Sequence, residues 1–171
     1  GEGPPDFAEL VLAAATRLLA LSDLGLDDAE ARARAEAVVG NGSAVAAYDR
    51  WIRAQGGEPD EAALPSAPVV REVHADRAGY VESLGAIAIG TAALHLGAGR
   101  SAKNDSIDHA VGIRCLRKRG YAVGEGEPLA EVHARDETAA EQAAREVRAA
   151  YVIADEPPPT KRIVLDVVTA A

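Results

Sequence analysis

Methionine is absent from all 171 residues, position 1 included, so the sequence reads as one that does not begin at a natural start codon. Cysteine occurs once, at Cys115. One thiol builds no disulfide framework, which fits a reducing cytosol. Aromatic residues make up only 4% of the chain, so a core must be assembled from Ala, Val, Leu and Ile. No apolar run reaches the length of a membrane span, and no signal peptide is recognisable. Excess positive charge is missing too: 18 basic residues face 27 acidic ones, for a net charge of −9. A surface of that sign repels phosphodiester backbones, and no basic cluster stands out, so no nucleic-acid partner is expected. A net sum still leaves room for one local anion site.

What is present suffices for one domain, or one and a small annex. Hydrophobic residues account for 48% of the chain. The most informative stretch is Leu96 to Cys115, LGAGRSAKNDSIDHAVGIRC. Gly97 and Gly99 permit a tight turn or a close backbone approach. Arg100 follows, then a polar run with Lys103, Asp105 and Asp108, and the stretch closes on a half-buried strand. A glycine turn carrying an arginine can cradle a phosphate. Neither GxxxxGK[ST] nor GxGxxG is present, however. The better expectation is a helix-to-strand turn in which Arg100 pairs with Asp105 or Asp108.

Several elements are readable along the chain. Asp6, with Glu9 three residues on, predicts a capped helix from Phe7 to Leu21. At 100° per residue, Phe7, Leu10, Val11, Ala14, Leu18 and Leu21 form one stripe, with Leu12 and Leu19 well off it. So wide an apolar arc wants cover on two sides. The expectation is self-association, or an exposed patch around Leu12 and Leu19. Asp27 and Glu30 form a capping box for a second helix, ending at Gly40-Asn41-Gly42. Ser43 is read as the cap of a third helix, whose Trp51 lies on the apolar stripe and is expected in the core. Pro65 and Pro68 mark a change of texture. Strands follow at Val69 to Ala75 and Tyr80 to Leu84. A helix is predicted at Ala86 to Leu96, and strands at Ala110 to Leu116 and up to Ala134. Thr138 and Glu141 predict a helix to about Ala154, and Arg162 to Val168 reads as a last strand.

The chemistry-bearing residues are dispersed. His74, His95, His109 and His133 make no close metal pair. His109 follows Asp108 and is a general-base candidate, but without a nucleophile or cleft it reads as structural. Cys115 reads as a small hydrophobe. Arg117, Lys118 and Arg119 form a charged turn. The spacing Gly120-x-x-Val123-x-x-Gly126-x-x-Leu129 also occurs in lipoyl and biotinyl carriers. Arg135-Asp136-Glu137 stands where a modifiable lysine would be needed, so only the barrel-like shape is inferred.

LGAGR at Leu96, the K-x-D-x-ID and AVG that follow, and GEGEPLAEVHA at Gly124 to Ala134 together resemble the C-terminal portion of the thymidine and pyrimidine-nucleoside phosphorylase family. The resemblance extends upstream through HADRAGYV, LPSAP, AAYDRWIRAQGG and EGPPDFAELVLAAATRLLALS. Gly120-Tyr121 departs from the Gly-Asp common in the family, and Asn104 stands where an acid is frequent. The resemblance implies an α+β chain. Residues 1–63 would be a helical segment of the parent's large α/β domain, and residues 64–171 the α/β hammerhead (barrel-sandwich-like) C-terminal domain. It implies a pentosyltransferase of nucleoside salvage, which exchanges the base of a pyrimidine nucleoside for phosphate and yields free base and (deoxy)ribose 1-phosphate. Phosphate is then a co-substrate of the parent, and no cofactor belongs to this chain. The family's phosphate loop, its base-binding Arg, Ser and Lys, and its catalytic His belong upstream, so this chain is expected to be a C-terminal piece. It is expected to hold no catalytic, cofactor-binding or metal residue and to be inactive alone. The partners implied are the rest of a cytoplasmic, homodimeric parent and, through it, nucleoside and phosphate. The alternative is a non-catalytic hammerhead module that binds or scaffolds.

Overall fold

A computed structural model describes residues 3–100 and 102–168. Gly1, Glu2, Ser101 and residues 169–171, which the expected domains and the central stretch include, lie outside the described residues. The chain forms two compact units. One takes the residues up to Ala63 together with those from Lys161 on, and the other is Leu64–Thr160. With its helices and two small antiparallel sheets, the fold is α+β, as the sequence led us to expect.

The first unit carries three helices, α1 (Pro5–Ala20), α2 (Asp28–Gly40) and α3 (Ser43–Ala54). The α2 capping box is present: the Asp27 side chain accepts from the Glu30 N–H, and the Glu30 carboxylate accepts from the Asp27 N–H. The Asp6 cap is not. Pro4 is the N-cap residue of α1, Pro5 opens the helix, and Asp6 lies inside the first turn. A proline ring pre-set to helical φ starts a helix without a side-chain cap. Glu9, released from capping, takes a forked pair of hydrogen bonds from Arg32 of α2, at 3.0 and 2.8 Å. That bridge turns the Ala8, Leu12, Ala15 and Leu19 face of α1 toward α2, and these four residues are half-buried. The expected exposed patch at Leu12 and Leu19 is therefore the covered one. The wide stripe is what remains open, with Phe7 59%, Leu18 72% and Leu21 83% exposed.

Two expectations for α3 also fail. Gly42, at φ 81°, is the N-cap, and Ser43 is the first helical residue, with its amide and hydroxyl donating to Asn41 Oδ1. Trp51 is not in a core: it is 60% exposed, tilted against Tyr48 with ring centroids 6.2 Å apart. Apolar periodicity names the face a helix prefers to cover, but coverage depends on what lies opposite. Among the described residues of this unit, only Ala31 and Ala35 are buried. Trp51 is the only tryptophan, so it reports this directly. Its fluorescence is expected to peak at long wavelength and to be readily quenched by acrylamide. Blue-shifted, quench-resistant emission would mean that the α3 face is covered.

Among the described residues, the second unit contains six strands. They are β1 (Val69–His74), β2 (Gly79–Leu84), β3 (Gly112–Cys115), β4 (Ala122–Val123), β5 (Pro128–Ala134) and β6 (Tyr151–Ala154). Two helices, α4 (Ala86–His95) and α5 (Glu137–Ala150), complete it. The sheets run β1-β5-β3 and β4-β2-β6, and all pairs are antiparallel. In β5, Ala130, Val132 and Ala134 point into the core, while Glu131 and His133 face the other way and are half-buried. One core draws on both sheets and both helices: Val73 and Val81, Val123 and Leu129, Ala92 of α4, and Ala140, Ala143 and Val147 of α5. This explains the three-residue spacing noticed in the sequence. Gly120 and Gly126, at φ 90° and 76°, make turns, and Val123 and Leu129 between and beyond them are buried.

The end of the chain is read differently by the structure. Asp136, not Thr138, caps α5, accepting from the Ala139 N–H at 2.8 Å. The helix stops at Ala150, because Tyr151-Val152-Ile153 pairs with β2 as strand β6. Aromatic and β-branched residues favour that state when a partner strand is available. Residues 162–168 form no strand. They have the composition for one, but no described strand pairs with them, and an unpaired strand leaves its amides unsatisfied.

Candidate functional site

The candidate site is the loop from Gly97 to Val111, which α4 delivers and β3 receives. The helix ends in a Schellman motif: Gly97 N–H donates to the Leu94 carbonyl, and Ala98 N–H to the Ala93 carbonyl, both at 3.0 Å. Gly97, at φ 99°, is the residue such an end requires. The two ends of the loop are tied, with Asp108 N–H donating to the Gly97 carbonyl at 2.9 Å. A compact loop with joined ends is an Ω-loop.

The expected pairing of Arg100 does not form. Asp108 is engaged by Arg135, whose Nη2 donates to Oδ1 at 2.6 Å while its Nε donates to Oδ2. Ala110 N–H adds a third bond to Oδ1 at 3.0 Å. Asp105 accepts from the Ala102 N–H at 2.8 Å. Arg100 stays exposed, with no ion pair to either carboxylate among the described residues. The distant Arg135 wins because β5 carries it to the foot of the loop, and a planar guanidinium fits a carboxylate with two bonds. Spacing along the chain gave no sign of this partner 27 residues away.

A cleft of about 440 Å³ opens here, lined by Pro65, Ser106, Ile107, Asp108, His109 and Arg135. It places an imidazole, a hydroxyl and a carboxylate in one wall. They do not form a relay, because Asp108 spends its oxygens on Arg135 and Ala110 and does not orient His109. The Arg135 guanidinium, followed by the Ala110 amide, holds the Asp108 carboxyl below the usual carboxylate range. A depressed carboxyl stabilises the fold above its unfolded pKa, about 3.9, and that contribution is lost as pH falls through the folded value. The expected result is an Asp108 titration midpoint below the ordinary range by carbon-detected NMR, returning toward it in Arg135→Gln. A midpoint unmoved by that substitution would sink the assignment.

The other residues singled out from the sequence are scattered. His74 and His95 pair with Glu72 and Glu146, both at 2.9 Å, and His133 lies 3.7 Å from Glu131. The His95–Glu146 pair joins α4 to α5, and His95, followed by Gln142, holds the Glu146 carboxyl below its ordinary range. Burial pushes the Cys115 thiol up, against the shift a nucleophile needs. Arg117 pairs with Glu127, and Arg119 donates to the Pro159 carbonyl at 2.7 Å. Among the described residues, no group of three or more His, Cys, Asp or Glu side chains is placed to hold a metal ion. No helix among them is long and apolar enough to cross a membrane. Tyr151, expected within the last helix, is a firmly anchored polar group. Its hydroxyl sits 2.9 Å from the Leu129 carbonyl and 3.0 Å from that of Arg117, and burial pushes its phenol up. The aromatic opening of an otherwise aliphatic run was the one available signal.

A comparison with protein families completes the description. Residues 80–154 match the pyrimidine nucleoside phosphorylase C-terminal domain. The matched segment runs from the second residue of β2 to the last of β6 and includes the loop and its Arg135 anchor. The segment is similar to that domain, in agreement with the resemblance carried by LGAGR and GEGEPLAEVHA.

Proposed function

We propose that this chain is the C-terminal part of a thymidine or pyrimidine-nucleoside phosphorylase and serves its large domain structurally. The match over residues 80–154 carries this reading. In it, the parent exchanges the base of a pyrimidine nucleoside for phosphate and releases (deoxy)ribose 1-phosphate. Phosphorolysis needs phosphate aligned with the anomeric carbon and a group to stabilise the departing base, and positioning and electrostatics supply most of the acceleration. Those groups belong to the rest of the enzyme, which is this chain's first partner; nucleoside and phosphate reach it through that partner. No cofactor, metal ion or catalytic side chain is assigned to this chain. The parent is a cytoplasmic homodimer in this reading, which the lone Cys115 and the family resemblance support.

The mode of anchoring favours a structural role. Asp108, the acid nearest His109 in sequence, is tied to Arg135, and the Tyr151 hydroxyl is spent on two backbone carbonyls. Incubated with thymidine or uridine and phosphate, the purified chain is expected to release no base above background. Release that disappears in His109→Ala would overturn both the structural role and the empty set of catalytic residues.

A further inference from the structure

The joint between α2 and α3 is the run Gly40-Asn41-Gly42-Ser43. Asn41 and both glycines are exposed, and a Cβ built on either glycine would meet nothing within 4 Å. The Asn41 side-chain carbonyl is gripped by Ser43, whose N–H donates to Oδ1 at 2.9 Å and whose hydroxyl donates to it at 2.6 Å. Two donors on one carbonyl oxygen draw electrons from its carbon. They also stabilise the oxyanion that forms when a nucleophile adds there. The adjacent nucleophile is the Gly42 amide nitrogen, which no side chain shields. Asn104, the other asparagine of the chain, is followed instead by Asp105, whose side chain crowds a deprotonated nitrogen and whose charge opposes it.

We propose that Asn41 is a self-modification site, at which water converts the asparagine to aspartate and isoaspartate. The Gly42 amide gives up its proton to hydroxide, and its nitrogen bonds to Asn41 Cγ. The bond from Cγ to the side-chain nitrogen breaks, and ammonia leaves. Water then opens the cyclic imide at either carbonyl, yielding aspartate or an isoaspartate whose main chain runs through Cγ. One water is consumed, one ammonia is released, and no oxidant takes part. Asn41 lies at ψ 3°, so ring closure waits on rotation about its Cα–C bond. Gly42, at φ 81° in open space, lets the chain turn. The product alters the joint: α2 has no basic residue in its last turn to offset a new carboxylate, and isoaspartate lengthens the main chain between the helices.

The test is incubation of the full chain at mildly alkaline pH, with its peptides followed by mass spectrometry and the two acid isomers separated by chromatography. Conversion at Asn41 is expected well ahead of Asn104, and about fivefold slower in Ser43→Ala, which removes one of the two donors. Circular dichroism checks that the variant keeps its helices. In urea, where both donors are lost, the unsubstituted chain and Ser43→Ala are expected to react alike. Equal rates at Asn41 and Asn104 in the folded chain, or an unchanged rate in folded Ser43→Ala, overturn the proposal. A difference that survives in urea assigns the effect to the sequence of the run and overturns its structural basis.

Discussion

Gly79→Ala is expected to destabilise the second unit by roughly 3–5 kcal/mol. Gly79 opens β2 at φ 154°, directly against β6. A Cβ built there would run into the Ala154 carbonyl oxygen and come within 2.9 Å of Ile153 Cγ2. The first obstacle is backbone, which no rotamer change removes. β2 is the central strand of its sheet, so displacing it disturbs the pairing with both β4 and β6. Gly112→Ala is the internal control: it also lies in a strand, but a Cβ there meets nothing within 4 Å. Denaturant unfolding followed by circular dichroism separates the two. Equal midpoints for both variants would show that β2 and β6 do not approach as closely as described.

Leu129→Ala is the second large effect, expected to cost about 2–5 kcal/mol. Leu129 is fully buried and is among the largest such side chains in the chain. Its carbonyl accepts from Leu116 N–H at 2.9 Å, from Arg117 N–H at 3.1 Å and from the Tyr151 hydroxyl. The residue therefore sits where β5, the turn after β3 and the start of β6 meet. A cavity there loses contacts from every side, because surrounding backbone held by hydrogen bonds collapses poorly. Leu18→Ala, on the open stripe of α1, removes the same atoms from a side chain that is 72% exposed. It should change stability by no more than about 0.5 kcal/mol. A loss at Leu18 comparable to that at Leu129 would mean the α1 stripe is covered in solution. Calorimetry on the two variants decides between these outcomes.

Both comparisons bear on how the chain encodes itself. The second unit was legible in outline because its signals are local. Alternation located β1 and β2, the apolar close of the central stretch located β3, and the Gly120-to-Leu129 spacing led to β5 and a barrel-like shape. The α2 capping box and the turn glycines were equally readable, since a cap or a positive φ involves only a few consecutive residues. The family motifs added the resemblance that the match over residues 80–154 supports, which composition and periodicity do not carry.

What the tertiary structure decided is, in each case, a choice among competing partners. Asp108 was expected to pair with Arg100 and pairs with Arg135 instead, because β5 brings that guanidinium to it in a forked geometry. Tyr151 continued a helical pattern and became a strand, because β2 offered it a ladder. The residues at 162–168 had the composition of a strand and no described strand to pair with. On α1, periodicity found the apolar arc, but the Glu9–Arg32 bridge chose which half faces α2. Sequence alone thus determined where local backbone geometry and burial preference lie. Which side chain meets which, and which apolar face stays open, depends on free-energy differences between alternatives that only the assembled fold brings within reach.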